Sequence, residues 1–280
     1  MKVLVTGAGG QLGQDLAKVM AATGAEPVPC DRAALDVTDA EAVRRQILAV
    51  KPDAVIHAAA YTQVDRAELE PDEAYRVNAL GTRNVAAAAE EAGAKLVYVS
   101  TDYVFGGTLG RPYREFDPPS PINAYGRSKL AGERFVLHLH RLSFIVRTSW
   151  LYGRGPNNFV GKILQAAREG RTLRVVGDEI GSPTYTADLA GFLAKLVRTN
   201  RYGVYHAAGG GFCSRYEQAV EALRLACLGH VPVKAIRSAE LSANAPRPKF
   251  SALDPMMIRF GGFAPLPDWR NGLARCLAAH

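Results

Sequence analysis

Cysteine is scarce: Cys30, Cys213, Cys227 and Cys276 are the four in the chain, and no two of them form a CxxC pair. Scattered thiols of this kind fit a reducing cytoplasm, where they act as small core residues. Long apolar runs are missing as well. None approaches the ~20 residues that a membrane-spanning helix needs. The opening "MKVLVTGAGG" has one lysine and a short Val/Leu run that breaks at glycine. That is too short for the core of a secretory leader and reads as a first strand. Runs of Lys/Arg and RNA-binding signatures are absent too, so neither a membrane nor a nucleic acid is expected as a partner.

What is present is an ordinary globular composition: 280 residues, 48% hydrophobic and 22% charged. The length suits one large domain or two small ones. The 34 basic residues outnumber the 27 acidic ones and leave a formal charge of +7. An anionic small ligand and an arginine-rich surface both fit that balance.

Short Val/Ile/Leu-rich runs alternate with helical patterns. Strands are expected at 2–6, 26–30, 53–60, 95–100 and 144–149, and helices after the first glycine turn, at 39–50 and at 71–93. Such alternation implies an α/β fold of Rossmann type: a doubly wound parallel sheet with helices on both faces. Past residue 150 prolines and glycines cluster, and helices read at 158–169, 186–198, 215–228 and 267–279. We expect a dinucleotide-binding domain over 1–150 and a smaller, partly interleaved substrate domain over 151–280. A segment near 180–206 is expected to return to the first domain.

"TGAGGQLG" (6–13) follows the first strand and opens a helix, with Gly7, Gly10 and Gly13 three apart and Gln11 and Leu12 between them. Glycines allow a sharp turn, close approach to a pyrophosphate and tight strand–helix packing. The helix N-terminus offers free N–H groups to phosphates. The strand–turn–helix context makes dinucleotide binding the reading. Asp31 stands where a carboxylate meets the adenosine ribose, and Arg32 beside it can hold the extra phosphate of NADP. NADPH and NADH therefore both remain open. Asp36 and Val37 lie further along, at the place for adenine, and "HAAAYT" puts Ala59, Ala60, Tyr61 and Thr62 at the end of the third strand.

"NAYGRSKLAGE" sets Tyr125 and Lys129 four apart, on one face of a helix. A phenol of ordinary pKa near ~10 is a poor acid–base group at neutral pH. A nearby ammonium favours phenolate and lowers that value, which suits proton exchange with an alcohol or ketone. Lys129 can also hold the nicotinamide ribose. Thr101 ends the fourth strand, where ligands bind in open α/β sheets, and can hydrogen-bond the reacting oxygen.

With "TGAGGQLG", "HAAAYTQVDRAE", "VSTDYVF", "NAYGRSKLAGE", "RTSWLYG", "GSPTYTADLA" and "RPKFSALD" in place, the chain resembles the extended short-chain dehydrogenase/reductases, and within them the dTDP-4-dehydrorhamnose reductases. The resemblance implies reduction of a 4-keto dTDP-sugar by NAD(P)H, with Thr101, Tyr125 and Lys129 as catalytic set. It also implies Asp102, Tyr103, Phe105 and Trp150 as sugar contacts, and Arg247, with Lys249, as diphosphate contacts. Gly106 and Glu179 depart from the family's usual Asp/Asn and Gln. A magnesium-bridged homodimer through Asp15 and Asp188 is a further feature of some members. No third acidic partner stands near "ARCLAAH", so surface charge is preferred and no metal ligand is assigned. Two rival readings are a nucleotide-sugar dehydratase or epimerase and a non-catalytic NADP-binding regulatory subunit like that of methionine adenosyltransferase. Dehydratases carry Thr-Asp-Glu where this chain has Thr101-Asp102-Tyr103.

Overall fold

A computed structural model describes residues 1–278. The first half runs β1 (Lys2–Thr6), α1 (Gln11–Ala22), β2 (Glu26–Cys30), α2 (Ala40–Val50), β3 (Ala54–His57), α3 (Val64–Leu69), α4 (Pro71–Tyr75), a π-helical turn (Arg76–Gly81), α5 (Thr82–Glu91), β4 (Lys95–Thr101), α6 (Ala124–Leu139) and β5 (Ser143–Thr148). The second half runs β6 (Leu151–Tyr152), α7 (Phe159–Arg168), β7 (Leu173–Val176), β8 (Ile180–Gly181), β9 (Thr184–Tyr185), α8 (Thr186–Leu196), β10 (Gly203–His206), β11 (Cys213–Ser214), α9 (Arg215–Leu225), β12 (Val233–Ile236), α10 (Met256–Phe260) and α11 (Trp269–Ala278). The expected end of the last helix at 279 lies outside the described residues.

Six strands form one parallel sheet in the order β10-β5-β4-β3-β1-β2. β5 is buried along its whole length and β4 at all but its first residue, as a sheet covered on both faces requires. One face packs on α1 and α8 through Leu16, Met20, Leu189 and Leu193. The other packs on α2, α5 and α6 through Val43, Ile47, Val85 and Val136. β10 extends this sheet beside β5, so residues 203–206 lie far in sequence from the strands they join. A separate apolar cluster holds α7, α9, α11, β7 and β12 together, with Trp269, Leu223 and Leu164 at its centre.

Two elements differ from the sequence expectation. The third strand stops at His57 and not at residue 60. Residues 58–63 leave the sheet, because Asn78 captures Tyr61 there. Its Oδ1 accepts from Tyr61 N at 2.8 Å and its Nδ2 donates to Tyr61 O at 3.1 Å. The helix expected over 71–93 is continuous in direction but widens into the π turn at Arg76–Gly81. Asn78 sits in that turn, fully buried, and also donates to Ser128 Oγ at 2.9 Å. π turns inside helices commonly mark functional positions.

Candidate active site

The carboxyl ends of the sheet strands open into a cleft of about 1020 Å³. Its floor is the glycine turn. Gly7 has φ +69°, and a Cβ there would lie 2.6 Å from Ala59 N. A Cβ on Gly13 would lie 2.4 Å from Gly7 O, so strand and helix pack only without side chains at these two points. Gly10 caps α1 without any side-chain bond, which leaves the first amides of α1 free for a ligand. Gln11 Nε2 lies buried in the same wall with no partner. Free amides, an orphaned amide donor and a cleared backbone together fit a dinucleotide pyrophosphate.

Leu12, Asp31, Arg32, Asp36, Val37, Ala59, Ala60, Tyr61 and Thr62 all border this cleft. Asp31 Oδ1 accepts from Ala34 N at 2.9 Å, which orders the bend after β2. Asp36 turns inward on its own loop, accepting from Thr38 N at 2.9 Å and Thr38 Oγ1 at 2.8 Å. Those bonds hold its carboxyl below the usual carboxylate range.

Thr101, Tyr125 and Lys129 face the same cleft. Asn123 caps α6 by accepting from Gly126 N at 2.8 Å, which starts the helix one residue before Tyr125. Lys129 is buried; its Nζ donates to Val99 O at 2.7 Å and lies 4.2 Å over the Tyr98 ring. Burial pulls its pKa down to about 7, opposed by Glu133. Tyr125 departs from the sequence argument. Burial raises its phenol well above the ordinary value, with Thr101 opposing and Asp102 and Tyr103 adding to the rise. The ammonium of Lys129 is turned toward Val99 O, so desolvation wins. A phenol held protonated is a proton donor, the form that reduction of a ketone uses.

Around the reacting centre, Asp102 gathers hydroxyls from three segments. Its Oδ2 accepts from Ser251 Oγ at 2.5 Å and Ser149 Oγ at 3.0 Å, and its Oδ1 from Thr101 Oγ1 at 3.1 Å. Burial pushes this carboxyl up to about 6 against those bonds. Tyr103 meets Tyr125 edge-on at 5.8 Å, and burial pushes its phenol up to about 12. Trp150 borders the cleft with φ +47°, and its indole fills the space beside Gly181, where a Cβ would lie 2.4 Å from Cε2.

Other residues expected in the site are elsewhere. Phe105 is fully buried and stacks on Tyr113 at 4.2 Å, in a small core with Val104 and Leu253. The chain turns between Tyr103 and Phe105, so adjacency in sequence does not carry it into the cleft. Arg247 forms two bonds to Asp65, at 2.6 and 3.0 Å, and does not border the cleft. The magnesium reading is not supported: Arg275 closes the Asp188 carboxylate at 2.6 and 2.8 Å, and Asp15 accepts from Thr186 Oγ1 at 2.6 Å. Among the described residues no group of three His, Cys, Asp or Glu could hold a metal. Two arginines that the sequence reading passed over, Arg154 and Arg215, do border the cleft. Arg215 sits inside an ordinary capping box, Ser214 to Glu217, which carries no ligand signal.

Comparison with known proteins agrees with this geometry. The family model described as the RmlD substrate binding domain matches residues 1–280. The chain belongs to this family. Within it, the chain is 42% identical to a dTDP-4-dehydrorhamnose reductase of Streptomyces griseus, over 99% of this chain and 93% of the relative. It is 40% identical to the spore coat polysaccharide biosynthesis protein SpsK of Bacillus subtilis, over 99% and 96%. Among solved structures, a dTDP-4-dehydrorhamnose reductase of Bacillus anthracis in complex with NADP superposes with a TM-score of 0.97 at 46% identity, covering 100% of this chain and 99% of that one.

Proposed function

We propose that the chain reduces the C4 ketone of dTDP-4-dehydro-L-rhamnose to dTDP-L-rhamnose with NADPH or NADH. One observation carries this reading: the half-buried phenol of Tyr125, which its surroundings hold protonated, lines the glycine-turn cleft together with Thr101 and Lys129. The match over the whole chain to relatives named dTDP-4-dehydrorhamnose reductase supports it. The reduced cofactor, when bound, supplies the hydride. The Gly7–Gly13 turn and Gln11 hold its diphosphate, and Asp31 with Arg32 meets the adenosine ribose.

Tyr125 donates its phenolic proton to the oxygen that forms at C4. Thr101 holds that oxygen once its hydroxyl hydrogen turns from Asp102 toward it. Lys129 supports the resulting phenolate, and its position under Tyr98 and Val99 limits its motion. The wall of Asp102, Tyr103 and Trp150 holds the sugar. We divide the work accordingly: 1–150, with the return near 180–206, binds the cofactor, and the remainder closes over the sugar. The four thiols, none of them in a disulfide, suit a reducing cytoplasm.

Elimination of water, as in a dehydratase, fits less well. Tyr103 stands where that chemistry places a glutamate, and its phenol is the weaker acid by far. The test is spectrophotometric. NADPH or NADH should be oxidised in step with the keto sugar, while dTDP-glucose with catalytic NAD should give no 4-keto-6-deoxy product. The opposite pair of results would overturn the reading.

A further inference from the structure

We propose that the guanidinium of Arg215 binds the diphosphate of the nucleotide sugar, the role that the resemblance implies for Arg247. This rests on the reading of the cleft as a nucleotide-sugar site. Four arginines are relevant. Arg247 is closed on Asp65. Arg32 lies at the far end of the cleft with the β2 loop. Arg154 borders the cleft from the exposed loop after β6. Arg215 borders the sugar side, and among the described residues no carboxylate comes within ion-pair distance of it.

Its setting is that of an anion receptor. The guanidinium carbon lies 3.5 Å from the Trp150 ring centre and 4.8 Å from that of Phe159. Stacking on aromatic faces steadies the plane and leaves its edges for hydrogen bonds. One N–H is spent on Gln218 Oε1 at 3.2 Å, and the remaining donors suit paired contacts with phosphate oxygens. Arg215 also opens α9, an eleven-residue helix, so the positive end of the helix adds to its charge. The guanidinium is half-buried, and the nearby Glu179 and Asp102 carboxylates stay beyond ion-pair distance, so a ligand anion would be its first direct charge partner. A diphosphate joined to a sugar that rests on Trp150 would be such a partner.

The experiment compares dTDP with thymidine, which lacks phosphates, by calorimetry on the full chain saturated with NADP. Wild type should prefer dTDP by at least about tenfold, the scale of charge-assisted hydrogen bonds. Arg215→Gln should shrink the preference to about threefold or less while NADP affinity and Tm stay put. A preference that persists in the variant, or that is absent from wild type, overturns the assignment. If Arg215→Gln does not fold, Arg215→Lys decides: a threefold or larger drop supports the fork geometry, and an unchanged preference contradicts it. The keto-sugar assay separates this from the reductase reading. A chain that prefers dTDP through Arg215 but reduces no 4-keto sugar would sink that reading and leave this one standing.

Discussion

On one wall of the cleft Gly7, Gly10 and Gly13 clear side chains away from the start of α1. On the other, Asp102, Trp150 and Arg215 present side chains drawn from three distant segments. The first wall is local: the seven residues Gly7–Gly13 form it, and a single added Cβ meets backbone at 2.4 Å. The second is assembled by the whole fold. Ser149 and Ser251 reach Asp102 from either side, and Gly181 makes room for the Trp150 indole. The difference teaches where each half of the chemistry is vulnerable. Backbone walls fail by steric intrusion, and side-chain walls fail by losing a partner far away in sequence.

Tyr125 stands where the walls meet, so its loss should be the largest effect. Tyr125→Phe should lower kcat by ~10²–10⁴-fold, the usual cost of a general acid, with NADPH affinity retained in a fluorescence titration. Near-normal turnover would remove the proton-donor role.

Asp102→Asn tests the side-chain wall through stability. Burial raises this carboxyl from 3.8 to about 6. A raised acid stabilises the fold fully below its unfolded pKa, and that contribution is lost as pH rises through the folded value. Wild type should therefore lose up to roughly 3 kcal/mol from this group between about pH 4 and 6. Urea unfolding of the variant should show that part of the slope gone. Identical slopes in both proteins would mean that Asp102 is not held in this way.

Gly181→Ala should push the Trp150 indole aside and raise KM for the keto sugar about tenfold, the scale of one to two lost contacts, with NADPH binding unchanged. An unchanged KM would remove Trp150 from the sugar wall. The smallest effects belong to the cofactor wall's rim. Asp31→Ala should weaken NADH about threefold more than NADPH, and Arg32→Ala the reverse, since only one of the two cofactors carries the ribose phosphate. Equal losses for both cofactors in both variants would show that neither residue reads that position.

Legibility follows the same division. The strands at 2–6, 26–30 and 95–100 are short apolar runs, and the structure has strands at Lys2–Thr6, Glu26–Cys30 and Lys95–Thr101. The glycine spacing and the four-residue step from Tyr125 to Lys129 are local too, and both end up in one cleft. Features that depend on tertiary partners were not readable. The third strand is shorter than its apolar run, because the alanines that follow it suit strand or loop equally and Asn78, 17 residues from Tyr61, holds that segment as a loop. The π turn has no periodicity of its own. The resemblance implies Phe105 as a sugar contact, but the direction of its side chain is set by Tyr113 and His206. Arg215 was invisible because a capping box surrounds it, and Trp150 becomes its neighbour only in the folded chain. The phenol of Tyr125, expected to be lowered by Lys129, is instead raised by burial, which the sequence does not display, with Thr101 as the opposing group.

Hydride transfer to a sugar ketone between these two walls is the central claim, and isotope transfer tests it most directly. NADPH deuterated at nicotinamide C4, on the face that is transferred, would be incubated with the chain and dTDP-4-dehydro-L-rhamnose, and the product analysed by NMR. The account predicts dTDP-L-rhamnose with one deuterium at sugar C4 for each NADPH consumed. Sugar product without deuterium at C4, or turnover with no net cofactor consumption, would contradict it.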